Sequence, residues 1–158
     1  MRLSKPEVLD EAACKRRALD LLARREHSRF ELERKLSARA FPAALIAQVL
    51  DQLEASGALA AGRFTDSFVR ARMAKGQGPV RIRAELVQRG IEASRATEVL
   101  REPDIDWVAA ASAVRRKRFG PARPKDFKER ARQARFLQYR GFESSHIHAA
   151  LELGEDSD

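Results

Sequence analysis

LVQRGIEAS at residues 86–94 and LQYRGFESS at residues 137–145 are one element written twice. A shift of 51 residues carries Leu86, Arg89, Gly90, Ile91, Glu92, Ser94 and Leu100 onto Leu137, Arg140, Gly141, Phe142, Glu143, Ser145 and Leu151. A shift of 50, again without a gap, relates Leu36, Arg39, Phe41, Val49 and Leu50 to Leu86, Arg89, Ile91, Val99 and Leu100. Self-similarity at such a period marks an array in which each repeat is one supersecondary unit. Glycine directly after a helical stretch adopts the left-handed conformation that closes a helix, so Gly90 and Gly141 are read as helix stops, not as phosphate-binding residues.

Each repeat reads as three helices. The last of each carries an apolar triplet at i, i+3, i+4: Ile46, Val49 and Leu50, then Ala96, Val99 and Leu100, then Ile147, Ala150 and Leu151. That spacing makes one core-facing stripe per unit. Ser28 to Glu31 has the S-x-x-E pattern of a capping box, in which hydroxyl and carboxylate satisfy otherwise orphan amides at the start of a middle helix. Gly78-Pro79 holds the corresponding place in the second unit, and Pro79 suits a first helical position because its missing N–H would be unpaired there. First helices are expected over residues 13–25, 63–75 and 106–119, with Phe64, Phe68, Val69 and Met73 as the stripe of the second and Trp107, Ala111 and Val114 as that of the third. The third unit departs from the pattern: a loop with Gly120, Pro121 and Pro124 intervenes, and Gln133 stands where its counterparts have Leu32 and Ile82. Its middle helix is the least determined by sequence.

The fold class expected is therefore all-α, a tandem array of three three-helix-bundle repeats with about nine helices, elongated and gently curved. The divisions are 1–62 for an N-terminal extension and repeat one, 63–103 for repeat two, 104–153 for repeat three and 154–158 for an acidic, disordered tail.

Composition agrees with helices: 34% of residues are charged, only 6% are aromatic, and the abundant Arg, Lys and Glu propagate helices well. No stretch alternates apolar and polar residues like a strand. Cys14 is the single cysteine, which allows no internal disulfide and fits a reducing cytosol as a small apolar helix residue. The first residues lack an apolar signal region and no segment approaches a membrane span, so a cytoplasmic location without membrane attachment is expected.

The formal charge of +8 is unevenly placed: residues 63–101 hold 9 basic and 4 acidic groups, residues 102–141 hold 11 and 5, and residues 142–158 hold 5 acidic groups and no basic one. Two runs carry the excess. Arg70, Arg72, Lys75, Arg81 and Arg83 follow one another without an intervening acid. Arg115, Arg116, Lys117, Arg118, Lys125, Lys128 and Arg132 lie in a second run diluted only by Asp126 and Glu129. Both straddle a helix-to-helix junction at corresponding places in adjacent repeats. A solvated helix face tolerates such density, and a polyanion makes it favourable. These twelve residues are the candidate partner- or nucleic-acid-binding set, and they could form one stripe.

No convergent catalytic set is visible, and neither a cofactor nor a small-molecule substrate is expected. His146 and His148 are two apart on a helix and point in different directions, a poor metal pair expected at the surface. His27 precedes the capping Ser28 and belongs to a turn. Gly76 to Gly78 reads G-Q-G but lacks the strand that a phosphate-cradling loop needs.

Residues 18–36, ALDLLARREHSRFELERKL, residues 63–91, RFTDSFVRARMAKGQGPVRIRAELVQRGI, and residues 135–142, RFLQYRGF, together resemble the RecX family, the bacterial proteins that modulate the RecA recombinase. The resemblance runs from about residue 12 to 152 and rests on the ordered combination of motifs. It implies a non-enzymatic regulator that binds RecA and the RecA–DNA filament. Its implied effect is mainly inhibition of recombinase, ATPase and coprotease activities, which bears on DNA repair and the SOS response. Weak binding to single- or double-stranded DNA without sequence preference goes with that reading. A sequence-specific helix-turn-helix transcription factor is the rival, since three-helix units with basic helices also dock in grooves. The uncharged stretch 40–49 argues against it.

Overall fold

In the computed structural model of the chain, residues 8–155 are described, and among them there are nine helices and no strand. Repeat one holds α1 (Glu11–Arg24), α2 (Arg29–Ala38) and α3 (Ala43–Ala55); repeat two α4 (Ala61–Ala74), α5 (Pro79–Gln88) and α6 (Ala93–Leu100); repeat three α7 (Trp107–Phe119), α8 (Phe127–Tyr139) and α9 (Ser144–Glu152). The least determined helix, α8, forms. Asp126 caps it, its carboxylate accepting from the Glu129 amide at 2.8 Å. Asp10 and Asp106 cap α1 and α7 in the same way.

The described chain divides after Thr65 into two compact units. In the first, α1 packs on α2 and α3, and α2 on α3, around Cys14, Ala18, Leu32, Leu36 and the apolar face of α3. Ser28 and Glu31 form both bonds of the capping box, each 3.1 Å, and Arg25 adds an ion pair to Glu31 at 2.8 Å. His27, expected in a turn, is in that turn and fully buried, 3.0 Å from the Arg25 carbonyl through Nδ1 and 2.8 Å from Lys35 Nζ through Nε2. Burial pushes its pKa below the usual histidine value.

In the second unit α5 packs on α6, and α7, α8 and α9 pack on one another. All nine residues of the apolar triplets are buried, as their periodicity requires. Gly90 and Gly141 have φ of 87° and 96°, and each closes its helix with two backbone bonds of a Schellman motif: Gly90 N–H to Val87 and Ile91 N–H to Leu86, Gly141 N–H to Gln138 and Phe142 N–H to Leu137. The first unit makes the same motif at Ala40, φ 66°, a non-glycine residue in left-handed conformation. Repeats two and three are joined by backbone: the Gly78 N–H donates to the Arg140 carbonyl at 2.8 Å and the Val80 N–H to that of Gly141 at 2.9 Å. A Cβ on Gly78 would lie 2.4 Å from the Gly141 carbonyl carbon, so the glycine before Pro79 is required by close approach.

Gly154 and Glu155, expected at the start of a disordered tail, are hydrogen-bonded instead. The Arg123 side chain donates through Nε to the Gly154 carbonyl at 2.8 Å. The Arg123 N–H donates to the Glu155 carbonyl at 2.9 Å and the Glu155 N–H to that of Pro121 at 2.8 Å, an isolated parallel bridge. Residues 156–158 of that expectation lie outside the described residues.

Candidate interaction surface

All twelve candidate cations fall in the second compact unit, and their surroundings differ sharply. Arg115 is a correction: it is 1% exposed and cannot present its guanidinium to a partner. Its Nη1 donates to the Ala122 carbonyl at 3.1 Å and to Gln133 Oε1 at 3.3 Å, and its Nη2 to the Pro121 carbonyl at 3.4 Å. The irregular loop after α7 turns its carbonyls inward, and a guanidinium has the several donors needed to satisfy them. Gln133 breaks the apolar pattern of the repeats for this reason. Its Nε2 in turn donates to Glu129 Oε1 at 3.2 Å.

Five candidates are committed to neighbours within their own repeat or to the C-terminal segment. Glu85 pairs with Arg72 at 3.1 Å and with Arg81 at 3.6 Å. Arg83 donates through Nε to Thr97 Oγ1 at 2.7 Å, Arg116 pairs with Glu155 at 3.0 Å, and Arg132 with Glu129 at 3.1 Å. Arg70, Lys75, Lys117, Lys125 and Lys128 are exposed.

The two basic runs do meet, at one place. Lys75, directly after α4, and Lys117 and Arg118, at the end of α7, line a groove of about 540 Å³ together with Arg140, the C-cap of α8. Arg140 is a member of this set that sequence reading missed, although its place in the repeated L-x-x-R-G marked it. Met73, Ala110, Ala113, Val114 and Phe142 supply an apolar lining, and no lining residue is acidic. The arginines here are held by rings: Arg140 lies 5.1 Å and Arg118 5.8 Å from the Phe136 centroid, and Arg132 lies 5.2 Å from that of Phe119. Phe119 and Phe136 meet edge to face at 5.3 Å. Stacking on a ring fixes a guanidinium without neutralising it, which leaves its N–H groups able to bind an anion.

A second groove, about 640 Å³, is of mixed sign, with Arg83 and Arg101 beside Glu102 and Glu143. His146, expected at the surface, is half-buried there, 3.9 Å from Glu143. Among the described residues no three His, Cys, Asp or Glu are placed to hold a metal ion, and no helix is long and apolar enough to cross a membrane.

The chain matches the sequence patterns of three RecX domains: the first three-helix domain over residues 14–53, the second over 62–100 and the third over 104–151. It is 48% identical over 141 residues to "Regulatory protein RecX" of Halorhodospira halophila, covering 89% of this chain and 88% of that one. It is 45% identical over 152 residues to the protein so named in Pseudomonas putida, covering 96% and 97%. The crystal structure of RecX from Lactobacillus salivarius superposes with a TM-score of 0.76 at 19% identity, over 90% of this chain and 94% of that one. A second, "Crystal structure of regulatory protein RecX", gives 0.74 at 21% identity, over 90% and 73%.

Proposed function

The chain belongs to the RecX family of regulatory proteins, and from that premise we propose that it regulates the RecA recombinase by binding RecA and the RecA–DNA filament. In this reading it acts in the bacterial cytoplasm without catalysis of its own. It mainly lowers the recombinase, ATPase and coprotease activities of the filament, and so bears on DNA repair and the SOS response. Weak, sequence-independent association with DNA accompanies the binding to protein.

The observation that carries the reading is the convergence of Lys75, Lys117, Arg118 and Arg140 on one groove without a lining carboxylate. A nucleoprotein filament is strongly anionic, and a concave, unneutralised cationic surface is steered toward it. Steady-state ATP turnover by RecA on single-stranded DNA tests the proposal. Turnover is expected to fall as this protein approaches stoichiometry with RecA, while this protein alone hydrolyses no nucleotide. Unchanged RecA turnover at several-fold excess would overturn it. A discrete protected operator in footprinting of bare duplex DNA would instead favour a sequence-specific transcription factor.

A further inference from the structure

The groove between the end of α4, α7 and α8 has a chemistry more particular than positive charge. Four cations from three elements rim it, with an apolar lining and no acid. Like charges so gathered repel one another, and an anionic occupant relieves that repulsion. Arg140 is pinned twice, over the Phe136 ring and by its Nη1 donating to the Lys75 carbonyl at 3.1 Å. Arg118 is stacked over Phe119 and Phe136, and no hydrogen bond or ion pair joins its guanidinium to another described residue. Its rotamer is held while its donors stay open, so binding an oxyanion there costs little further side-chain entropy. The lining decides the class of partner. A nucleic-acid strand offers Met73 and Val114 only sugar C–H groups or a thymine methyl, less apolar surface than a Leu or Phe side chain brings, and stacking of a base would need an open aromatic face. Phe136 already carries two guanidiniums, and Phe142 is only 3% exposed.

We propose that this groove docks an acidic peptide segment of a protein partner, its carboxylates received by Lys75, Lys117, Arg118 and Arg140 and one of its apolar side chains seated on Met73 and Val114. This deepens the reading above by assigning the protein-facing part of the surface, and rests on it only in taking the partner to be a protein. A fluorescein-labelled peptide of sequence Asp-Glu-Leu-Phe-Asp-Glu-Leu-Glu, titrated with the full chain and followed by anisotropy, tests it beside an oligothymidylate of equal net charge. The peptide is expected to bind more tightly than the oligothymidylate. Arg118→Gln is expected to weaken the peptide about tenfold, the loss of a charged hydrogen-bond partner. Ala113→Glu, at an exposed position of the lining, is expected to weaken it comparably by repulsion, and Met73→Gln to weaken the peptide but not the oligothymidylate. Peptide binding that ignores both Arg118→Gln and Met73→Gln, or absent peptide binding, overturns the proposal. So does tighter oligothymidylate binding that depends on Arg118, which makes nucleic acid the occupant. RecA takes no part in this titration, so its failure leaves the recombinase reading standing, and failure of the ATPase test leaves the groove standing.

Discussion

Arg115 is a cation held by uncharged groups. Three acceptor oxygens, from Pro121, Ala122 and Gln133, surround its donors, its Nε has no partner among the described residues, and burial lowers its pKa from the usual guanidinium value. Arginine stays protonated even so, since its usual value is far above neutrality. Truncating one member of such a network leaves the others buried and unsatisfied, so Arg115→Ala is expected to destabilise the chain by roughly 3 kcal/mol in a urea titration. Arg115→Met combined with Gln133→Leu, which restores the apolar pattern of the other repeats, is expected to recover part of that loss. His27 is the other buried ionisable group with a readable consequence. Its neutral ring fits the Nδ1–H donating to Arg25 and the Nε2 accepting from Lys35. Because its folded pKa is depressed, the unfolded chain binds the proton first as pH falls, and stability declines below the usual histidine pKa of about 6.5. Urea midpoints measured from about pH 7 down to about pH 5 are expected to drop. His27→Gln is expected to flatten that slope.

At the scale of the element, one motif recurs three times with three tolerances. The helix stops at Ala40, Gly90 and Gly141 share left-handed φ and the same pair of backbone bonds. Gly141 also sits at a close approach, its would-be Cβ 2.8 Å from the Arg81 backbone nitrogen and 2.5 Å from the Arg81 Cβ. Gly90→Ala is expected to cost about 1 kcal/mol for the left-handed conformation at φ 87°. Gly141→Ala is expected to cost about 3 kcal/mol or more, because the α5 start must also move away from the α8–α9 turn. Gly78→Ala opens the same gap, so the double variant Gly78→Ala, Gly141→Ala is expected to cost less than the two singles together. Ala40→Gly is expected to stabilise by up to about 1 kcal/mol by removing backbone strain. Thermal and urea unfolding of the set ranks all five.

For the molecule as a whole, the consequence is where charge can act. Replacing Lys75, Lys117, Arg118 and Arg140 with Glu is expected to lower affinity for the RecA–DNA filament and to flatten its dependence on salt. Pairing of these cations with an anionic partner is screened by salt, so each cation removed takes away part of that dependence. Exposed charges contribute little to folding, so a melting temperature close to that of the parent chain should accompany the weaker binding for substitutions at Lys75, Lys117 and Arg118. Anisotropy of labelled filament over a salt series measures it, and unchanged affinity at every salt would reduce the basic runs to solvated helix faces. The acidic C-terminal stretch tests the sign: Glu152 pairs with Arg130 at 2.9 Å and Glu155 with Arg116 at 3.0 Å. Glu152→Lys with Glu155→Lys is expected to leave binding undiminished, since it releases two cations.

The helices and their ends were legible from residue order because their causes are local. Period 3.6 sets the buried triplets, Ser28 with Glu31 sets a cap, and L-x-x-R-G sets a helix stop, each within a few residues. The same repeat alignment places Ala40 beside Gly90 and Gly141, so even the strained stop was readable in principle. Charge was legible as an amount and not as a surface. A run of arginines looks alike whether its members meet water, a carboxylate, a ring or a loop carbonyl, and only packing between distant segments separates buried Arg115 from stacked Arg118, three residues away. The groove, too, belongs to tertiary structure, because Lys75, Arg118 and Arg140 come together only when three helices fix the distances among them.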